Sequence, residues 1–231
     1  MSSLNPSGDW KSIARTIDHT LLRTAAPRDA VMKLCREASH YRFRAVVVQP
    51  YYVALVAGML RGSQVLAASV VGFPQGATLA TVKQFEARQL LRQGAQELDM
   101  VLNVAALKSG DRNYVANEVK SLAQIVHSGG AILKVIIEAP LLTREEKILA
   151  CEICVESGAD YVKTATGMGA GGATVEDVRL MRSIVGSRAG VKAAGGIRTA
   201  ADAVAMLAAG ADRLGTSSSV AIMRELGVPE I

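Results

Sequence analysis

Two lysines stand inside stretches that otherwise read as buried strands: Lys163 in Asp160-Tyr-Val-Lys-Thr-Ala-Thr-Gly167 and Lys192 in Gly190-Val-Lys-Ala-Ala-Gly-Gly-Ile197. An ammonium in an apolar strand must be paired, neutralised or used, because desolvating it costs on the order of several kcal/mol. Two such lysines point to amine chemistry. At its ordinary pKa of ~10.4 a lysine holds only about 0.04% free amine at pH 7 and is a poor nucleophile. A second ammonium about 6 Å away opposes the charged form by ~2.8 kcal/mol at an effective dielectric of ~20, which is about two pKa units. Desolvation pushes the same way. Like-charge crowding would turn one of the pair into a group that attacks carbonyls.

Strand side chains alternate between faces. Asp99 therefore shares a face with Val101 and Asn103, Lys134 with Ile136 and Glu138, Lys163 with Ala165, and Lys192 with Ala194. If these faces point inward, four consecutive strands gather one acid and three amines. The plainer reading is a structural ion pair around Asp99. Three amines about one acid balance buried charge poorly, which favours a working site.

Ala194-Gly-Gly-Ile-Arg-Thr199 follows the strand of Lys192, and Gly215-Thr-Ser-Ser-Ser219 leads from the last strand into the last helix. Glycines let backbone N–H groups approach an anion, hydroxyls add donors, and a helix N-terminus adds a favourable dipole. Either segment alone reads as a turn or a cap. Placed together after the last two strands, they read as a phosphate cradle. Thr166-Gly-Met-Gly-Ala-Gly-Gly172, directly after Lys163, is suited to cover a ligand, or is an ordinary loop.

The other reactive side chains give weaker signals. His19, His40 and His127 are far apart and lack ligand spacing, so neither a metal site nor a histidine-based triad finds support. His19, in a strand, reads as a hydrogen-bonded structural group. Cys151 and Cys154 form a C-x-x-C pair, but three-residue spacing within a helical stretch places both on one face as buried thiols, and Cys35 leaves the count odd. The formal charge of +5 is spread among acids, with no basic run or aromatic interleaving, which argues against nucleic acid. No run reaches the ~18 apolar residues of a membrane span, and the start lacks a targeting pattern, so the cytoplasm is the expected address.

These residues need a frame. With 231 residues and 50% hydrophobic content, the chain can bury one full core. Short apolar runs recur about every thirty residues, at 16–21, 45–49, 65–72, 98–104, 132–138, 161–165, 191–194 and 213–215, each followed by an amphipathic stretch. Thr143, Thr174 and Thr199 each precede an acid by three residues, the form of a capping box. Gly-Ala pairs at 94, 158 and 210 end helices just before the next strand. Eight strands alternating with helices predict an α/β chain folded as a single-domain (β/α)8, or TIM, barrel over residues 16–231, with a short N-terminal extension over 1–15. An open doubly wound sheet is the alternative, but Ile17-Asp-His-Thr-Leu21 offers no glycine-rich dinucleotide turn.

Several of these segments together resemble deoxyribose-phosphate aldolase: Ile17-Asp-His-Thr-Leu-Leu22, Val71-Gly-Phe-Pro-Gln-Gly76, Glu97-Leu-Asp-Met-Val-Leu-Asn103, Lys134-Val-Ile-Ile-Glu138, Tyr161-Val-Lys-Thr-Ala-Thr-Gly167, Val191-Lys-Ala-Ala-Gly-Gly-Ile-Arg198 and Gly215-Thr-Ser-Ser218. The resemblance implies a cofactor-free class I aldolase that reversibly cleaves 2-deoxy-D-ribose 5-phosphate into D-glyceraldehyde 3-phosphate and acetaldehyde. It makes Lys163 the Schiff-base lysine, Lys192 the neighbour that lowers its pKa, and Asp99 the acid of a proton relay. It assigns Lys134, Thr166, Gly167, Gly195, Gly196, Arg198, Gly215, Ser217 and Ser218 to the phosphosugar site, with Asp18 near the relay. It also implies a homodimer or homotetramer. Ala165, Met168 and Val47 depart from residues common in the family, and none of them removes an amine or acid the chemistry requires. Two other readings remain open at this level: a phosphosugar isomerase on the same barrel, and a non-catalytic phosphosugar-binding relative.

Overall fold

A computed structural model describes residues 10–169 and 171–229. The elements run α1 (Trp10–Ala14), β1 (Ile17–Leu21), α2 (Arg28–Tyr41), β2 (Ala45–Val48), α3 (Val53–Met59), β3 (Leu66–Val71), α4 (Ala80–Arg92), β4 (Glu97–Val101), α5 (Val104–Lys108), α6 (Arg112–Ser128), β5 (Ile132–Ile136), α7 (Arg144–Glu156), β6 (Tyr161–Lys163), α8 (Val175–Val185), β7 (Gly190–Ala194), α9 (Ala200–Ala208), β8 (Arg213–Thr216) and α10 (Ser219–Glu225). All neighbouring strands are parallel, and β8 pairs with β1, so the sheet closes into a barrel in sequence order and not into an open sheet. Residues 1–9 of the expected extension lie outside the described residues. Within the rest of it, α1 buries Ile13 and Ala14.

The strands are apolar on both faces because helices cover the outside and side chains fill the inside. Outward residues such as Val46, Val48, Leu98, Met100, Leu133, Val162 and Leu214 pack under the helices in one continuous core. Fully burying each such side chain contributes about 1.5–3 kcal/mol. The helices answer with amphipathic faces. In α2 the buried residues Val31, Leu34, Cys35, Ala38 and Tyr41 recur at helical spacing.

Helix ends largely follow the sequence signals. Thr143 and Thr199 close reciprocal capping boxes with Glu146 and Asp202. Thr174 accepts from the Asp177 amide, but the Asp177 carboxylate does not return to it; it pairs with Lys147 at 2.6 Å, so only half of that box forms. Gly94, Gly158 and Gly210 take the left-handed conformation at helix ends.

Strands β4, β5 and β6 stop two or three residues before the ends of their apolar runs, and this moves two polar side chains off the interior face. Asn103 leaves β4 and caps α5, its side chain accepting from the Ala106 amide at 3.1 Å. Glu138 leaves β5 and adopts φ +51°, a left-handed conformation that costs a non-glycine residue on the order of 1 kcal/mol. β6 ends at Lys163 itself. Cys35, Cys151 and Cys154 are free and buried, and burial pushes the Cys151 thiol up to about 12. Among the described residues, no helix is long and apolar enough to cross a membrane.

Candidate active site

Alternation along the strands divides the barrel interior in two. Strands β2 and β3 send in only Ala45, Val47, Leu66, Ala68 and Val70, which with Leu22 form an apolar wall. The other strands send in charge: Asp18 from β1, Glu97 and Asp99 from β4, Lys134 from β5, Lys163 from β6, Lys192 from β7 and Arg213 from β8, all buried. The expected balance of one acid to three amines is therefore corrected. Asp18, Glu97 and Arg213 join the network, and the interior holds three acids against four bases.

The contacts fix who holds whom. Asp99 Oδ1 accepts from Lys134 at 2.9 Å, while Asp99 Oδ2 accepts from both Lys163, at 2.8 Å, and Lys192, at 2.7 Å. Lys192 also donates to Asp18 Oδ2. Lys134 contacts Glu97 at 2.6 Å. Arg213 donates in a fork to Glu97, at 3.1 and 2.8 Å, and to Asp18, with its Nε at 3.0 Å from Oδ1. Tyr161 also faces inward, its ring centroid 5.7 Å from the Arg213 guanidinium carbon. Its register partner is Gly190, where any Cβ would overlap that ring.

Burial opposes the charge on Asp18, Asp99, Lys134 and Lys163, and their neighbours decide the outcome. For Asp99 and Asp18 burial would raise the pKa, but the surrounding lysines, and Arg213 beside Asp18, hold both carboxylates well below their usual range. For Lys134 burial is outweighed by Asp99, Glu97 and Asp18, which push its pKa up. Lys163 goes the other way. Burial lowers it to about 8; Asp99 opposes the shift, and Lys192 and Lys134 add to it. Like-charge crowding thus contributes to the depression, but desolvation is the larger cause.

Above the network lies a cavity of about 310 Å³ at the C-terminal end of the barrel. Of the three interior lysines, only Lys163 lines it. Its floor also includes Ala194 and Gly215, and a Cβ on Gly215 would stand 3.1 Å from Lys192 Cε, so this glycine leaves room for the lysine stem. The walls are the end of β1 with the loop after it and the loops after β6, β7 and β8. Gly195, at φ +92°, lies against Gly172 closely enough that a Cβ on it would be 2.8 Å from the Gly172 Cα, and the Ala173 amide donates to the Gly195 carbonyl at 3.0 Å. Glu138 anchors the start of the first of these loops, accepting from the Thr166 amide at 3.1 Å.

A family model described as DeoC/LacD family aldolase matches residues 13–225. The chain belongs to that family. It is 56% identical over 213 residues to a deoxyribose-phosphate aldolase of Thermococcus gammatolerans, covering 91% of this chain and 95% of the relative. It is 54% identical over 222 residues to the deoxyribose-phosphate aldolase of Thermococcus kodakarensis, covering 95% and 98%. Among solved structures, the putative deoxyribose-phosphate aldolase of Coccidioides immitis superposes with a TM-score of 0.92 at 40% identity, covering 97% of this chain and 89% of that one. The tetrameric deoxyribose phosphate aldolase of Aeropyrum pernix gives 0.88 at 38% identity, covering 94% and 92%.

Within this aldolase barrel, the residues expected around the ligand fall into two layers. Thr166, Gly167, Gly195, Gly196, Arg198, Gly215, Ser217 and Ser218 all line the cavity with Lys163. Lys134, Asp18, Asp99 and Lys192 do not; they lie beneath it, fully buried, so the expected placing of Lys134 and Asp18 around the ligand is corrected to the layer under the pocket. His19 points outward, bonded to Ser219 at 2.8 Å and Glu37 at 2.9 Å, as a structural group. The sequence reading missed Glu97, which shares the Asp99 face two residues away, and Arg213, which shares the Gly215 face. The same alternation could have found both. It also missed Arg23, which lines the cavity from the loop after β1.

Proposed function

We propose that this chain is a class I aldolase that reversibly cleaves 2-deoxy-D-ribose 5-phosphate into D-glyceraldehyde 3-phosphate and acetaldehyde, with Lys163 as the Schiff-base lysine. Membership of the aldolase family and the names of its relatives support the reaction. The observation that carries the residue assignment is that, of the three interior lysines, only Lys163 opens onto the cavity, with its pKa lowered to about 8. At pH 7 such a lysine holds on the order of a tenth of its amine free, against about 0.04% at the ordinary pKa.

The neutral Lys163 amine attacks the C1 aldehyde of the open-chain sugar, and the carbinolamine loses water to leave a protonated imine. A base takes the C3 hydroxyl proton. The C3–O electrons form a carbonyl, the C2–C3 bond breaks, and its electron pair flows to the imine nitrogen to give an enamine. Two carbons stay on the lysine and three leave as glyceraldehyde 3-phosphate; scission between C3 and C4 would leave three behind. Protonation at C2 and hydrolysis then release acetaldehyde and restore the amine.

Asp99 touches both Lys163 and Lys192, and three ammonium groups lower its basicity. We read it as a relay that exchanges protons with Lys192 and reaches the C3 hydroxyl through water. The lysine itself provides the electron sink, so the scheme invokes no cofactor. Phosphate would sit against the glycines and hydroxyls of residues 195–198 and 215–218, and we assign Thr166 and Gly167 to the same subsite. An oligomer is supported by the tetrameric Aeropyrum relative and by the exposed apolar side chains Tyr51, Leu79, Val82 and Phe85. The free, buried cysteines support a reducing, cytoplasmic setting.

Coupled measurement of acetaldehyde release tests the reaction. The wild-type protein should release it from the phosphosugar, and Lys163→Met should lose at least about a thousandfold in kcat/KM. An isomerase would convert the sugar without releasing acetaldehyde, and a binding relative would leave it intact; either result overturns the assignment.

A further inference from the structure

The cavity wall holds a cation that the reaction scheme does not use. Besides Lys163, the cationic side chains lining it are Arg198 and Arg23. Lys163 is held by Asp99. Arg23 is exposed at the cavity edge, and its guanidinium has no ion-pair partner among the described residues.

Its backbone is nonetheless fixed. Leu22, immediately before it, is buried against the apolar wall of the barrel, and its carbonyl accepts from the Gln49 side chain at 2.9 Å. The Ala26 amide closes a turn onto the Arg23 carbonyl at 3.2 Å, and the Tyr52 hydroxyl donates to the Ala26 carbonyl at 2.8 Å. A long side chain is thus carried by a pinned loop at the edge of the cavity that residues 195–197 and 217 also line. There the N–H groups of Gly195, Gly196 and Ser217 have no acceptor among the described residues.

A phosphate monoester carries about −1.5 to −2 charge at neutral pH and takes charge-assisted bonds best from guanidinium. Arg198 alone leaves that charge under-neutralised. We propose that Arg23 is a phosphate-recognition residue of this site, completing with Arg198 a two-guanidinium clamp opposite the free amides. It makes the site selective for phosphorylated over unphosphorylated sugars. The proposal rests on the aldolase reading for its substrate, but the anion site itself does not depend on turnover.

Two measurements test it separately. The ratio of kcat/KM for 2-deoxy-D-ribose 5-phosphate to that for 2-deoxy-D-ribose should fall at least about tenfold in Arg23→Ala, through KM, and recover in part in Arg23→Lys. An unchanged ratio, or equal losses on both sugars, overturns the proposal. In parallel, calorimetric titration with inorganic phosphate should show at least about tenfold weaker binding to Arg23→Ala than to wild type. If the wild-type protein cleaves neither sugar, the aldolase reading fails and this titration alone decides: weaker binding in the variant supports Arg23, and equal binding overturns it.

Discussion

The side-chain nitrogens of Lys163 and Lys192 meet at one carboxylate oxygen, Asp99 Oδ2, at 2.8 and 2.7 Å. Two cations held within two hydrogen-bond lengths of each other raise the cost of protonating both. Asp99 keeps the arrangement from flying apart, and the network of Asp18, Glu97, Lys134 and Arg213 beneath it keeps the pair in place. One lysine faces the cavity while the other is enclosed, the division that our proposal uses between a nucleophile and a group that tunes it.

Replacing Lys192 with methionine removes a cation that favours the neutral amine, and frees Asp99 to stabilise the Lys163 ammonium. Both effects raise the Lys163 pKa. The acid limb of kcat/KM against pH, expected near about 8 in the wild type, should move up by about one unit. A limb that stays in place or moves down contradicts the tuning role.

Glu138 predicts an effect on binding more than on chemistry. Its left-handed backbone and its bond to the Thr166 amide hold the loop that follows Lys163. Glu138→Ala leaves that amide without its partner, so KM should rise about tenfold, with a smaller change in kcat. A loss confined to kcat would point instead to a role in proton transfer.

Much of this was legible in the sequence because a barrel strand writes its inward face in every second residue. Lys134, Lys163, Lys192 and Asp99 stand out as charges in apolar runs, and the glycine and serine segments after β7 and β8, which read as an anion site, do line the cavity. The boundaries were harder to read. Asn103 and Glu138 continue the alternation on paper, but one is drawn off to cap a helix and the other turns to hold a loop, and neither competing bond is visible in a periodic pattern. Arg213 escaped notice because a single arginine at the start of a short strand looks like a surface residue until the neighbouring strands bring Asp18 and Glu97 to it. The relative weight of desolvation and like charge in the Lys163 shift likewise depends on depth, which only the folded packing sets.

Acid should unfold the protein through the same network. Asp18 and Asp99 titrate well below their usual range in the fold, whereas unfolded aspartates titrate near about 3.9. The folded state therefore binds fewer protons than the unfolded chain at low pH. The stability these groups contribute is fully present above the unfolded value and is lost as pH falls toward their folded values. The urea midpoint should be nearly flat from about pH 7 to 5 and fall steeply below about pH 4. A midpoint that stays level down to pH 3 would rule this linkage out.

The most direct test of the central claim is borohydride reduction in the presence of acetaldehyde or 2-deoxy-D-ribose 5-phosphate, followed by peptide mass mapping. The account predicts a two-carbon adduct with acetaldehyde, on Lys163 and not on the enclosed Lys134 or Lys192, and no adduct in Lys163→Met. A wild-type protein that turns over substrate yet carries no adduct, or carries it on Lys192, would contradict it.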